Sequence, residues 1–427
     1  MKKKYVRWTL WTIASPFILF VILCILIYLP PIQNFLVDKA AVYASEATGM
    51  NISVGRISLS FPLNLVVTDV DAASPHNDTL LSVRRLQVNV QLLPLLKKQV
   101  EVDGISLQGA TVNSNDLIHG MKLNGTLGEL FISSHGVALD PETAIVNKVL
   151  LKDTDLSLCL NDTAAVDTAA SDTTYWKIIL QDIDLQNVSF ALDMPLDSLS
   201  LAASLDNAIL RDGLIDLHKS AYSLQTFRIK NGRVRYDSGK PLAADSLPSG
   251  LDPSHIALTD IGVKLDSLYY EGRNMKAIIS QFVLKERSGV EIVSATGRMV
   301  SNDKVLRVPS LKLETRDSYL ELNAAMDWNA LDFKGEGLVS ARLMADIGKP
   351  DVVRFMGRMD EKFVRQYPSE PLRIRTGIDG DLNKLKLTTL TAELPGALGL
   401  FARGELTHLT DSLLRGGDIT LEAETRI

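Results

Sequence analysis

Along most of this chain apolar and polar residues alternate one by one. In "RRLQVNVQLLPLLKK", Arg84 to Lys98, the residues Leu86, Val88, Val90 and Leu92 alternate with Gln87, Asn89 and Gln91. A period of two puts the aliphatic side chains on one face of a strand and the amides on the other. Burying one such side chain is worth roughly 1.5–3 kcal/mol, so the apolar face must meet something. The same alternation recurs in "RISLSF" (Ile57, Leu59, Phe61), "LSLCL" (Leu156, Leu158, Leu160), "SLKLE" (Leu311, Leu313), "YLELNA" (Leu320, Leu322, Ala324), "LKLTTL" (Leu385, Leu387) and "DITLEA" (Ile419, Leu421, Ala423), with Gly, Asn and Asp turns between.

Helical periodicity is confined to a few places. Ile32, Phe35, Leu36, Tyr43 and Ala47 form a stripe predicting an amphipathic helix over 32–49, closed by Gly49. In "KPDVVRFMGRMDEKFVRQYP", Pro350 suits a first helical position, and Val352, Phe355, Met356, Met359 and Phe363 form a second stripe. This predicts a helix packed across the end of a sheet. The polar, breaker-rich segments 161–175 and 237–255 read as loops.

A degenerate repeat runs through the strands. "ISLQGATV" starts at Ile105, "VLLKDTDL" at Val149, "IDLQNVSF" at Ile183 and "FRIKNGRV" at Phe227, with a looser copy, "IGVKLDSL", at Ile261. The pattern is apolar-x-apolar-[Gln/Lys]-[Gly/Asp/Asn]-x-x-apolar, and Leu265 breaks it in the last copy. Gly, Asp and Asn tolerate positive φ, so each copy reads as strand, tight turn or bulge, strand. Asp-Ser/Thr-apolar triplets also recur, at Asp78, Asp162, Asp167, Asp197, Asp245, Asp266 and Asp411. They read as turns entering strands.

The N-terminus has another character. Lys2, Lys3, Lys4 and Arg7 precede an uncharged run from Trp8 to Leu29. As a helix this run is about 33 Å long, enough to cross a bilayer's hydrocarbon core. Trp8, Trp11 and Tyr28 sit where interfacial aromatics belong, and the basic tail, residues 1–7, predicts a cytoplasmic N-terminus. Pro30-Pro31, not a small-residue cleavage site, follows the run. The sequence therefore predicts an uncleaved single-pass anchor in the inner membrane over 8–29, with the bulk of the chain, from residue 50 to 427, in the periplasm.

Composition narrows the classes. The chain has 427 residues, 46% of them apolar, which excludes global disorder. A net charge of −6 and 6% aromatic residues argue against a nucleic-acid partner. The two cysteines, Cys24 and Cys159, and six scattered histidines make no metal or redox motif. There is no HExxH, GxxxxGK[ST], GxSxG or CxxC. The sequence predicts neither an enzyme nor a cofactor.

The anchor leads into "VDKAAVYASEATGMNISVGRISLSFPLNLVVTDVDA" and "DTLLSVRRLQVNVQLLPLLKKQVEVDGISLQGATVN". In order and spacing these segments resemble the opening of the translocation/assembly module TamB family, within the AsmA-like group. The resemblance covers Met1 to Asn113 most specifically and is diffuse afterwards, through "GIDGDLNKLKLTTLTAELPGALGLFARGELTHLTD". It implies a mainly β protein whose sheet curls into an open trough after the transmembrane helix. Phospholipid tails would slide along its apolar lining between inner and outer membrane. The candidate lining is Leu86, Val88, Val90, Leu92, Ile105, Leu107, Ile183, Leu185, Leu320 and Leu322. The resemblance also implies an outer-membrane barrel partner of the TamA type. Members are much longer and this chain stops at "LEAETRI" as if in mid-strand, so a fragment is expected. Without the resemblance, alternation alone would favour two or three β-sandwiches in a row with dry cores. The rival functional reading is a scaffold for outer-membrane protein assembly with no lipid cargo.

Overall fold

The computed structural model describes residues 39, 41–42, 45–46, 48–60, 64–74, 78–91, 102–114, 120–138, 142–161, 175–239, 250–332, 336–357 and 359–425. The expected anchor with Trp8, Trp11 and Tyr28 lies outside them, as do Leu92, the stripe Ile32, Phe35, Leu36, Tyr43 and Ala47, and most of both expected loops. Among the described residues no helix is long and apolar enough to cross a membrane. The described residues of 39–48 are helical, and Gly49 closes the segment with φ 70° while its N–H donates to Ser45 O at 2.9 Å. Glycine enters that left-handed conformation at no steric cost.

The chain is mainly β, with twenty strands and few helices among the described residues. It divides into two compact units, one of residues 1–138 and 145–162, the other of 139–144 and 163–427. In the first, β1 (Asn51–Ser60), β2 (Asn64–Ala73), β3 (Thr79–Val90), β4 (Val102–Asn113) and β5 (Met121–Ala138) form an antiparallel meander, each strand bonded to the next. β6 (Thr143–Leu160) belongs to this unit from Ile145 onward.

In the second unit β7 (Lys177–Met194) pairs with β8 (Leu199–Asp216) across a 3-10 turn, Pro195–Asp197. β8 then pairs with β10 (Thr226–Ser238) and, at its C-terminal end, with the short β9 (Ala221–Leu224). Both lie against β11 (His255–Glu271). From there the sheet is again a plain meander: β12 (Asn274–Glu286), β13 (Glu291–Ser301), β14 (Val305–Thr315), β15 (Tyr319–Asp327), β16 (Val339–Ile347), β17 (Leu372–Gly380), β18 (Lys384–Leu394), β19 (Leu398–Thr407) and β20 (Gly416–Thr425). Every alternating run quoted above falls in one of these strands as far as it is described; Phe61, like Leu92, lies outside the described residues.

The repeat marks a backbone event. Its fifth residue has positive φ in four copies: Gly109 at 62°, Asp153 at 50°, Asn187 at 50° and Asn231 at 58°. Each lies inside a continuous strand, so the feature is an irregularity in mid-strand and not a turn. The copy placed at Ile261 is corrected. Leu265 is ordinary strand, and the left-handed residue is Asp260, φ 53°, so that copy begins at Ile256. Two further copies exist, from Leu65 with Asp69 at 55° and from Ala208 with Asp212 at 50°. Opposite two of these residues the neighbouring strand supplies a glycine. A Cβ on Gly55 would stand 2.9 Å from Asp69 Cβ, and one on Gly128 2.8 Å from Asp153 Cβ.

The predicted second helix is split. α1 (Lys349–Met356) ends at Gly357, φ 69°, and α2 (Glu361–Gln366) follows. Pro350 lies in the first turn of α1, as expected. α1 is fixed to the end of the sheet by a buried acid. Asp351, 1% exposed, accepts hydrogen bonds from Ser318 Oγ at 2.6 Å, from Arg354 at 3.0 Å and from Thr315. Arg354 also binds Asp317 at 2.8 Å, and Gly348 N–H donates to Ser318 Oγ at 3.0 Å. Burial alone would push the Asp351 carboxyl up; the donors Ser318, Thr315 and Arg354 outweigh it and hold it below its ordinary range. Phe355, Met356 and Phe363 of the predicted stripe remain exposed.

The Asp-Ser/Thr triplets divide. Asp78, Asp197 and Asp411 precede strands in turns, whereas Asp266 sits within β11. The triplets at Asp162, Asp167 and Asp245 lie outside the described residues.

Candidate functional site: two apolar rows across the strands

Residues directly opposite each other in adjacent strands share a face of the sheet. In the first unit Leu86 of β3 faces Val67 of β2 and Leu107 of β4, and Val88 faces Leu65 and Ile105. The rows extend to Ile57 and Leu59 in β1 and to Leu130 and Ile132 in β5. Four of the expected lining residues, Leu86, Val88, Ile105 and Leu107, are thus immediate neighbours. Val90 lies two residues beyond Val88 on the same face, opposite Val102.

In the second unit the register joins residues far apart in sequence. Ile183 faces Leu210, Leu210 faces Phe227, Phe227 faces Leu265, and Leu265 faces Ile279. The file continues through Gly297, Leu311, Leu322 and Leu343, and then Thr376, Leu390, Ala402 and Leu421. Beside it a second file starts at Leu185 with Ala208, Ile229, Val263 and Phe282. It passes through Ala295, Leu313, Leu320 and Ala345 to Ile374, Ala392, Leu400 and Ala423. Ile183 and Leu185 therefore stand in the same two rows as Leu322 and Leu320, seven strands away in the sheet. At ~4.8 Å per strand the rows run on the order of 60 Å along the sheet. One polar residue, Thr376, interrupts them.

The opposite face is polar. In the first unit the adjacent row reads Arg56, Thr68, Arg85, Gln108 and Glu129. In the second it carries ion pairs such as Arg211–Asp182, Lys312–Glu321 at 4.0 Å and Lys384–Glu405 at 3.2 Å.

Burial shows how little protein covers the apolar rows. Among the described residues twelve apolar residues are fully buried, seven of them alanines. No leucine, isoleucine, valine or phenylalanine of the second unit's two rows is among them. Those side chains are half-buried, flanked by their row neighbours, and on β20 the row residue Leu421 is open, 60% exposed. In a sandwich the facing sheet would seal such residues into a dry core. No layer of described residues does so here.

Sequence reasoning named the alternating residues but missed their row partners, such as Phe227, Leu265 and Leu343. Alternation marks these too; which of them meet is set by register, which the sequence does not spell out. Among the described residues no cluster of His, Cys, Asp or Glu is arranged to hold a metal ion. Comparison of the chain with known protein families and with curated proteins finds no match.

Proposed function

We propose that this protein carries phospholipids, their acyl chains lying along the two apolar rows and their headgroups in water. The observation that carries this reading is the file from Leu185 to Ala423, apolar at every position across β7, β8 and β10 to β20, with its larger side chains half-exposed. Acyl chains require no directional partner, so a lining of Leu, Ile, Val and Phe suffices and no polar motif marks it. In this reading the sheet forms an open trough. The uncharged segment 8–29 anchors it in the inner membrane, and the β body crosses the periplasm toward the outer membrane, in the manner of the TamB-like proteins that residues 1–113 resemble.

The test is mass spectrometry of gently purified protein together with function in cells. Phospholipid should accompany the wild type. Val88→Asp and Leu185→Asp should each remove lipid and function while circular dichroism still reports a folded β protein. A folded Leu185→Asp variant that retains full lipid and activity would overturn the reading.

One observation favours a second reading, a scaffold for outer-membrane protein assembly. β20 bonds β19 on one side, every residue of it is exposed, and among the described residues no strand pairs with its other edge. Such an edge accepts a further strand. That reading predicts crosslinks from β20 to a barrel protein and no co-purifying lipid.

A further inference from the structure

On the polar face of the second unit, β8, β10, β11 and β12 line an open cavity of about 550 Å³. Ile209, Gly262 and Val283 line it together with Arg228, Lys230 and Lys264. The register gathers the cations: Ile209 faces Arg228, and Arg228 faces Lys264 directly across the β10–β11 pair. Like charges in that position have Cβ atoms about 5 Å apart and destabilise a sheet. Lys230 lies two residues along from Arg228 on the same face, adding a third positive charge roughly 7 Å away.

Asp260, itself part of the lining, and the nearby Asp206 and Asp266 each have a partner. Asp260 is paired with Lys285 at 2.8 Å. Asp206 accepts from Asn231 at 2.6 Å and stands 3.7 Å from Arg233. Asp266 accepts from Ser280 and is 4.0 Å from Lys264, a loose contact. Among the described residues neither Arg228 nor Lys230 has an ion-pair partner. In a chain of net charge −6, three cations gathered around one hollow, against the single lining carboxylate Asp260, favour an anionic occupant.

We propose that this cavity binds a phosphate group, carried either by a small soluble ester or by a lipid headgroup. A phosphate offers enough acceptor oxygens to meet a guanidinium and two ammonium groups at once, and Arg228 presents the planar fork that pairs with two of them. The volume leaves room for the alcohol that the phosphate esterifies. Its cations stand on the face opposite the apolar rows, of which Ile229 and Val263 also border the cavity.

The experiment titrates the full chain, in a non-ionic detergent, with glycerol 3-phosphate and separately with dihexanoylphosphatidylglycerol. Sodium chloride at matched ionic strength is the control. At least one probe should bind saturably and raise the melting temperature above the chloride control, and the responding arm identifies the source. Arg228→Gln combined with Lys264→Gln should weaken that binding at least tenfold. The same double variant without ligand should melt no lower than wild type, because it loses a repulsive pair. Leu185→Asp should leave the binding intact, which separates this site from the acyl-chain rows. The proposal is overturned if neither probe binds beyond the chloride control, or if the double variant binds within twofold of wild type.

Discussion

Replacing Leu322 with glutamine tests whether the apolar face is open or sealed. Leu322 is half-buried, with Leu311 on one side and Leu343 on the other in the same row. Fully burying a leucine is worth ~1.5–3 kcal/mol, so a half-buried one has about 1–1.5 kcal/mol to lose. On an open face the glutamine amide keeps its water, and no further penalty arises. A unit of this size then melts roughly 2–5 °C lower. Were the row sealed beneath another layer, the whole transfer free energy would be lost. An unpaired buried amide would add about 1–3 kcal/mol, for a total of about 3–6 kcal/mol and a fall of more than ~10 °C. Differential scanning calorimetry of the two proteins decides, with phospholipid per chain counted in the same samples. A fall beyond ~10 °C in a protein that never held lipid would refute the open-face argument and, with it, the carriage of acyl chains.

Two other substitutions probe the backbone irregularities and the helix dock. Asn187→Val should destabilise the second unit by about 1–2 kcal/mol in urea titration, because a β-branched residue resists φ 50°, while Asn187→Gly should be neutral or better. Asp351→Asn should cost about 1–3 kcal/mol, since Ser318, Thr315 and Arg354 would lose a charged acceptor. The sign with pH follows from the lowered Asp351 pKa. Its contribution is complete above the ordinary value of 3.8 and disappears as pH falls through the lower folded value, so wild type should approach the Asn variant in stability below about pH 4. Equal pH profiles for the two proteins would mean that Asp351 does not hold α1 in place.

The strands were legible because alternation is a local signal, and Leu320, Leu322, Ile183 and Leu185 all fall where a period of two puts them. Their meeting in one pair of rows was not legible, because register is fixed by hydrogen bonds between β7 and β15 through every strand that separates them. The mid-strand irregularity was readable where Gln or Lys preceded Gly, Asp or Asn. It was misplaced at Leu265 and overlooked at Asp69, Asp212 and Asp260, where Thr or Arg takes the preceding position. That position lies on the polar face, where Thr, Arg, Gln and Lys are equally acceptable, so demanding Gln or Lys was too strict. The helix of residues 349–366 was drawn as one because its apolar stripe continues past Gly357, whose φ of 69° ends α1. The cations of β10 and β11 carried no sequence signal, since Arg228 and Lys264 are 36 positions apart and become neighbours only through pairing.

The up-and-down order of β12 to β20 imposes a parity on how such a chain can change length. Removing one strand would reverse the direction of every strand after it and carry each later connecting turn to the opposite edge of the sheet, while the apolar side stays on its own face. Removing or adding a hairpin leaves direction and sidedness untouched. The sheet is thus free to lengthen or shorten in steps of two strands, about 10 Å at a time, with every later turn staying at its own edge.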